Sequence, residues 1–205
     1  MRIETRSGYL HTALMRVLPA IGEDGYTLAL RPMLNTVEWV VTPTRLVLRA
    51  ADGYVLAEAE VDMPIVADGS YRAALPAPSM RLLARELGRE GFYTIVITTD
   101  EDDGRWRFDI EDTALYCAPV IGKAINYDKA WKRANWPTND DGVPTINGNY
   151  LRVLTEHAPH DCTIATHGRN GPIVISGRHY RAVIMPMTTA PQPIASLLGG
   201  DDAAQ

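Results

Sequence analysis

Cysteine is scarce in this chain, with two residues among 205, and long apolar runs are absent. The N-terminal residues 1–6 lack the apolar core of a secretory signal, so the two cysteines, Cys117 and Cys162, are expected to be reduced thiols. No apolar run is long enough to span a bilayer. These absences predict a cytoplasmic protein that has no membrane partner.

Signatures of catalysis are also missing from the sequence. It contains no Gly-rich phosphate loop, nucleophile elbow or His-Glu-x-x-His motif. Four possible metal ligands crowd one stretch, but their spacing matches no zinc pattern with paired short loops. They are His157, His160, Cys162 and His167. We therefore expect neither an enzyme nor a cofactor, and a metal-dependent hydrolase that uses His157 or His160 stays as an alternative.

Basic charge is in deficit, with 20 Lys and Arg against 25 Asp and Glu, which gives a formal net charge of −5. This balance argues against attraction of the whole molecule to phosphate. It does permit a local basic surface, because recognition depends on where charge sits rather than on its sum.

The sequence does contain a repeated pattern, in which a short amphipathic helix is followed by strand-like segments. The helices are predicted to begin near Gly8, after Pro76 and at Asn147, the last running to Ala158. Apolar residues recur in each at the spacing of one helical face. These apolar stripes are Leu10, Ala13, Leu14, Val17 and Leu18; then Ala77, Met80, Leu83, Ala84 and Leu87; then Leu151, Leu154 and Ala158.

Strand-like runs separate the three helices. They cover residues 26–30, 34–41, 45–49, 54–61, 93–98, 106–110, 114–119, 162–166, 173–176 and 179–185. The dipeptide Asp52-Gly53 between two of them is a strong hairpin signal. Because neither a helix with an apolar stripe nor a sheet with one apolar face is stable alone, helices must pack on sheets. The expected fold is α+β, with antiparallel sheets and few helices.

The pattern also predicts a domain organisation. Residues 1–119 form one domain of two helix-plus-strands units, and residues 145–187 form half a domain with the third unit. Residues 120–144 are expected to be an ordered connector, since Trp131 and Trp136 would otherwise be left in water. Residues 188–205 are expected to form a flexible tail.

Four segments together resemble the bacterial replicative sliding clamp, the β subunit of DNA polymerase III. Residues 48–57 are similar to its strand, Asp-Gly turn and second strand, and residues 74–83 to a helix-starting stretch. Residues 127–137 resemble the aromatic, basic, proline-ended link between its middle and final domains. Residues 180–187 resemble its last strand. The chain has three units where a clamp subunit has six, so it resembles a middle domain joined to the second half of a final domain.

The resemblance implies a DNA-clamp-like fold in which the helices lie inside and the sheets outside a homo-oligomeric ring. Such a ring encircles double-stranded DNA, slides without sequence preference, and tethers a DNA polymerase or other clamp-binding proteins. A ring of the usual twelve units would need four subunits; two or three subunits, or no ring, remain alternatives. An odd number of half-domains is expected to leave an unpaired strand edge, which favours self-association.

The arginines on the polar helix faces are the candidate DNA-facing residues. Sliding requires mobile, water-separated contacts with phosphates, which are salt-sensitive and independent of sequence. The candidates are Arg16, Arg81, Arg85, Arg89 and Arg152. The alternative for each of them is an ordinary solvated helix face.

The resemblance also implies a groove that accepts a short partner peptide carrying glutamine and hydrophobic residues. By motif position, the groove residues are Leu56, Tyr127, Trp131, Arg133, Val183, Met185 and Met187. Methionine suits such a surface because its flexible thioether chain repacks readily. Leu56, Val183 and Met185 could instead be ordinary core. A second hypothesis is a clamp-derived adaptor or inhibitor that forms no ring and binds a partner through the same groove.

Overall fold

A computed structural model of the chain describes residues 1–22, 31–62, 65–88, 92–99, 103–134 and 142–187. The strand predicted at 26–30, Arg89, Trp136 and the tail predicted at 188–205 lie outside these residues. The described helices are α1 (Ser7–Val17), α2 (Ala77–Leu87), α3 (Tyr127–Ala134) and α4 (Gly148–Glu156), with 3-10 turns at Leu18–Ala20 and Pro32–Asn35. The described strands are β1 (Arg2–Arg6), β2 (Thr36–Thr42), β3 (Arg45–Ala51), β4 (Val55–Glu60), β5 (Val66–Ala67), β6 (Tyr71–Pro76), β7 (Thr94–Thr99), β8 (Trp106–Ile110), β9 (Thr113–Cys117), β10 (Thr163–Thr166), β11 (Ile173–Gly177) and β12 (Tyr180–Ile184).

The described strands form two antiparallel sheets. One has the order β5-β1-β7-β8-β9 and the other has the order β10-β11-β12-β4-β3-β2-β6. Side chains alternate between the two faces of each strand, and the face that packs on α1, α2 and α4 carries most of the buried apolar residues. Trp39 of β2 illustrates this core, since its ring meets the edges of Trp106 and Phe108 from the other sheet at centroid distances of 5.6 Å.

The first two units are built alike and exchange their first strands. Unit 1 runs β1-α1-β2-β3-β4, and unit 2 runs β6-α2-β7-β8-β9. Strand β1 pairs with β7 of unit 2, whereas β6 pairs with β2 of unit 1. The two helices pack against one another over the shared core. Each unit therefore supplies one strand to the sheet of the other.

The third unit, residues 142–187, contains α4 and strands β10 to β12 and extends the sheet of unit 1. Strand β12 pairs with β4 in register from Tyr180 opposite Ala59 to Ile184 opposite Val55. Glu58 reinforces this seam, because its carboxylate accepts hydrogen bonds from Arg49 Nε at 2.7 Å and Arg181 Nε at 2.9 Å. A single carboxylate thus joins β3, β4 and β12.

The expected α+β fold is confirmed, and so is the hairpin signal of Asp52-Gly53. The Asp52 carboxylate accepts from the backbone N–H groups of Tyr54 and Val55, and Gly53 has φ 103°, which a side chain would strain. Helices α1 and α2 bury the predicted apolar residues from Leu10 to Val17 and from Ala77 to Leu87.

Two elements differ from the sequence-based expectation. The region predicted as a connector contains helix α3, whose short length gives little periodicity to detect. The third helix ends at Glu156 rather than at Ala158, and of its predicted stripe only Leu154 is buried, while Leu151 is half-buried. The apolar stripe predicted that these residues are buried. Helices α1 and α2 cover each other's stripes, but no helix of the described chain packs beside α4 in that way.

Candidate functional site

Three of the helices carry a small excess of basic over acidic residues. Helices α1, α2 and α4 together carry four arginines and two glutamates, although the chain as a whole has more acidic than basic residues. All three helices pack on the same core and so leave their polar faces on the same side of the sheets. This arrangement is the local basic surface that the net charge permits.

Arg81 and Arg85 lie one turn apart on α2, and both are exposed. They line a groove of about 990 Å³ between α1, α2 and α4, together with His11 of α1 and Glu156 of α4. Arg85 Nε lies 3.3 Å from the Glu86 carboxylate, which is an exposed contact of small energetic weight. Such arginines can move and carry water, as weak contacts to phosphate require.

Arg16 is held differently from the other candidate arginines. Its Nε donates to the carbonyl of His157 at 3.2 Å, and its guanidinium lies 6.0 Å from the centroid of the Tyr180 ring. Burial lowers the pKa of Arg16, opposed by the negative potential of Tyr180 and nearby aspartates. The same Tyr180 hydroxyl donates to the carbonyl of Leu154 at 2.9 Å. Arg16 therefore ties α1 to the end of α4, in addition to any role toward DNA.

Arg152 of α4 is exposed and lies 3.7 Å from the carboxylate of Glu156 one turn later. An exposed i,i+4 pair of this kind is worth only a few tenths of a kcal/mol. Arg152 therefore remains available to other partners.

Five of the seven residues predicted to line a partner groove come together on the opposite face of the seven-stranded sheet, namely Leu56, Tyr127, Trp131, Val183 and Met185. We call this set the seam cluster, because it covers the junction of β4 and β12. Its buried members are Leu34, Ala51, Leu56, Ile125, Tyr127, Ala130, Trp131, Val174 and Val183, with Met33 and Met185 packed against them. Helix α3 supplies the aromatic residues, and Leu56 is paired directly with Val183 across the seam.

Exposure differs among the predicted groove residues. Leu56, Tyr127, Trp131 and Val183 are buried, Met185 is half-buried, and Met187 is 58% exposed. The Arg133 side chain lies outside the described part of the structure. Met185 therefore forms an accessible edge of a cluster whose floor is already packed, and Met187 lies outside that cluster.

Two cations that the sequence analysis did not select stand beside the aromatic residues. The Arg181 guanidinium lies 4.1 Å from the centroid of the Trp131 ring, and that of Arg49 lies 5.6 Å from the Tyr127 ring. Arg181 could have been found from strand alternation, since residues 181, 183 and 185 share a face. Within the described residues, the Tyr127 hydroxyl and Trp131 Nε1 are buried and have no hydrogen-bond partner. The cluster thus combines apolar surface with unused hydrogen-bonding capacity.

The stretch that raised the metal alternative does not gather its ligands in the described structure. Across the described ranges, no three His, Cys, Asp or Glu side chains are grouped so that they could hold a metal ion. Among the helices described, none has the length and apolar character needed to cross a membrane.

Comparison with known proteins shows which class of fold this is. No protein-family model matches the chain, and no curated protein matches it. Solved structures do match: the fold of paired helix-plus-strands units is that of the bacterial DNA polymerase sliding clamps, as the sequence motifs predicted.

Three particular clamps show the extent of the likeness. The sliding clamp of Bacillus subtilis superposes with a TM-score of 0.73 at 13% identity, over 93% of this chain and 65% of that one. The β subunit of DNA polymerase III from Thermotoga maritima gives 0.73 at 16% identity, over 93% and 66%. That from Pseudomonas aeruginosa gives 0.74 at 15%, over 92% and 66%. The chain thus spans about two thirds of the length of each clamp, and at these identities the likeness is one of fold.

Proposed function

We propose that this protein is a sliding clamp-like processivity factor, which encircles duplex DNA as a homo-oligomeric ring and tethers a polymerase or another DNA enzyme. The observation that carries the proposal is the division of the molecule into two sides. The arginine-bearing helices α1, α2 and α4 lie on one side of the core, and the seam cluster lies on the outer face of the sheet. A ring needs this division, because its lumen contacts phosphates while its outside receives protein partners.

The number of units sets the size of the proposed ring. The described chain contains three helix-plus-strands units, so a ring of twelve such units would hold four copies. Strands β9 and β10 lie at open ends of the two sheets, where further strands can be added. Exposed edges of this kind favour association with another chain.

DNA binding in this proposal is electrostatic and independent of sequence. Arg81, Arg85 and Arg152 are exposed on the helical side, and Arg16 is half-buried there. Arginines that reach phosphates through water give salt-dependent attraction with no base readout. Contacts of this strength hold the ring near the duplex axis and still allow it to slide.

The seam cluster is the proposed attachment site for partner proteins. Met185 offers a soft apolar edge and Met187 an exposed apolar side chain two residues further on. In the cluster itself, the Tyr127 hydroxyl and Trp131 Nε1 are buried without a hydrogen-bond partner among the described residues. A peptide with a glutamine and large apolar residues suits this site, because its apolar side chains can pack on the methionines and its amide can pair with the two donors once the side chains that cover them move. Tethering of this kind requires no catalytic residues, so we propose a non-enzymatic role.

Retention on circular DNA tests the proposed encirclement. The protein is bound to nicked circular duplex at moderate salt, passed through a sizing column, and compared with the same DNA after linearisation. A topological link predicts that the protein stays on the circle and slides off the linear form, with a native mass above that of one chain. If the assembled ring does not open by itself, the protein is first bound to a linear duplex, and the ends of that duplex are then ligated so that the DNA becomes circular inside the ring.

Two results would contradict encirclement. Equal loss from circular and linear DNA would mean that no topological link forms. A single-chain mass at all concentrations, together with binding of a partner peptide, would identify instead the adaptor or inhibitor that forms no ring.

A further inference from the structure

The third unit is half of a domain whose other half is missing from the described chain. In units 1 and 2, the strand that follows the helix receives the first strand of the other unit on its outer edge: β2 receives β6, and β7 receives β1. Strand β10 holds the same place in unit 3, since the order β10-β11-β12 repeats β2-β3-β4 and β7-β8-β9. Its outer edge has no strand partner among the described residues.

Residues 143–146 hold the place of a first strand. They precede α4 with only its N-cap residue Asn147 between, much as β6 precedes α2. The chain that follows β12 bonds to them through the N–H of Met187, which donates to the Thr145 carbonyl at 2.7 Å. The chain that follows β9 bonds to β6 in the same way, from Val120 N–H to the Ala74 carbonyl at 2.8 Å. In both cases the donor lies three residues after the last strand, and the acceptor lies three residues before the helix.

This segment also has the side-chain alternation of a strand. Val143 is 77% exposed and Pro144 is buried, and Thr145 is exposed and Ile146 half-buried. A strand of this kind in units 1 and 2 lies against the other unit. Here it presents its outer edge without a described strand beside it.

Ile164 of β10 shows what the missing half would cover. It is paired directly with Ile175, so both side chains lie on the helical face of the sheet. Ile175 is fully buried, whereas Ile164 is 52% exposed. The corresponding strand β2 has Val37 and Trp39 buried completely on that face. An apolar side chain on the core face of a sheet is thus left open at one end of the sheet.

Helix α4 is incomplete in the same sense. Helices α1 and α2 each bury five residues, whereas α4 buries Leu154 alone. The difference has a physical cause, because α1 and α2 pack on each other. A second helix beside α4 would cover its half-buried Leu151.

We propose that a second copy of this chain supplies the missing half, so that two third units join around a two-fold axis into one complete domain. Residues 143–146 of each copy pair with the outer edge of β10 of the other, and the two α4 helices pack side by side over Ile164 and Leu151. A two-fold interface must be self-complementary. This one is, because each third unit has one strand-like segment, residues 143–146, and one unpaired edge, that of β10. Units 1 and 2 show the same arrangement within one chain, since β1 and β6 are exchanged between them in this way. This pairing does not depend on DNA binding or on the closure of a ring.

The ladder geometry identifies the backbone groups that the partner would engage. The N–H of His167 donates inward to the Pro172 carbonyl. Bonding alternates along an antiparallel strand, so the amides of Ile164 and Thr166 point away from β11, toward the open edge. These two amides report directly on whether the edge is paired.

Native mass and amide exchange of the full chain test the pairing. We expect Ile164→Lys to halve the native mass while circular dichroism remains unchanged, because a buried, unpaired ammonium is excluded from the new core. The matched control is Ser176→Lys, which adds the same charge on β11, a strand paired on both sides. It is expected to keep the wild-type mass. In the assembled wild type, the amides of Ile164 and Thr166 should be protected, and dilution to single chains should expose them.

Three results would overturn the inference. The first is a chain that stays monomeric at all concentrations. The second is an Ile164→Lys variant that keeps the wild-type native mass. The third is protection of the Ile164 and Thr166 amides that persists in monomers, which would mean that the chain covers the edge of β10 itself. The exchange measurement uses the wild type and so stands even if the lysine variant fails to fold. A paired, protected edge in a protein that shows no retention on circular DNA would support this inference and contradict the proposed function alone.

Discussion

At the scale of single residues, the candidate sites divide into side chains that hold the fold and side chains that face outward. Arg16 bonds to the His157 carbonyl and Leu56 packs against Val183, so both are structural whatever else they do. Arg81, Arg85 and Met187 are exposed. Substitutions at these exposed positions are therefore the ones that can separate binding from folding.

Met187 tests the partner site at this scale. We expect Met187→Glu to weaken binding of a labelled peptide that contains glutamine and large apolar residues, since a carboxylate at this exposed position of the predicted groove must be desolvated against the apolar peptide. A loss of about tenfold corresponds to about 1.4 kcal/mol, measurable by fluorescence polarisation. The control is Ile121→Glu, which places the same charge on a side chain that is 97% exposed. If both variants bind the peptide as the wild type does, the partner site lies elsewhere.

At the scale of elements, the helices and strands distribute charge according to the face that each leaves open. Helix α2 presents Arg81 and Arg85 to the helical side. On the outer side, arginines are paired with carboxylates: Arg45 of β3 lies 2.9 Å from Glu60 of the neighbouring β4, and Arg107 lies 2.7 Å from Asp109 of the same strand. These two outer-face arginines are thus paired within the sheet, although helix α3 on that side also carries Lys129 and Lys132 against Asp128.

Helix α2 is the element on which the DNA interaction can be tested. The double variant Arg81→Gln, Arg85→Gln should weaken duplex binding at low salt. It should also reduce the slope of log K against log salt, by about one for each phosphate that the variant no longer neutralises. Fluorescence anisotropy over a range of salt concentrations measures both quantities. The control is Arg45→Gln, Arg107→Gln, which removes the same charge from exposed pairs on the strands. An equal effect of the two double variants would mean that total charge, and not the helical face, determines binding.

At the scale of the whole molecule, the proposed assembly joins copies through two sheet edges that have no strand partner among the described residues. Strand β12 of unit 3 covers the outer edge of β4, the last strand of unit 1. Strand β9 is the last strand of unit 2, and its outer edge is uncovered among the described residues. With β10 at one end of the other sheet, the proposed assembly has two different interfaces, and alternating them would place four copies in one ring.

A charge at β9 tests this assembly. We expect Ala114→Lys to reduce four copies to two, since in a two-fold pairing of β9 strands the new lysines of both copies approach each other. Ile164→Lys should also leave pairs, joined instead through β9, and the two substitutions together should leave folded single chains. Native mass spectrometry distinguishes the three states. If Ala114→Lys keeps the wild-type native mass, β9 is not part of an interface between copies.

The sequence by itself determined the local elements and much of the class of fold. The apolar stripes from Leu10 to Val17 and from Ala77 to Leu87 predicted α1 and α2, because helical periodicity is a local property of the chain. Asp52-Gly53 predicted its turn for the same reason. The motifs at residues 48–57 and 180–187 indicated a clamp-like fold, which the structure shares.

Only the tertiary structure decided which strands pair and which side chains remain open. The exchange of β1 and β6 joins segments far apart in the chain, and no local pattern encodes that pairing. The stripe of α4 predicted a buried Leu151, but burial depends on a neighbouring helix that the described chain does not provide. Ile164 has the sequence context of any core strand residue, and its exposure follows from its place at the end of a sheet. Pairing across distance and the presence of neighbours are properties of the assembled chain, so they became visible only in three dimensions.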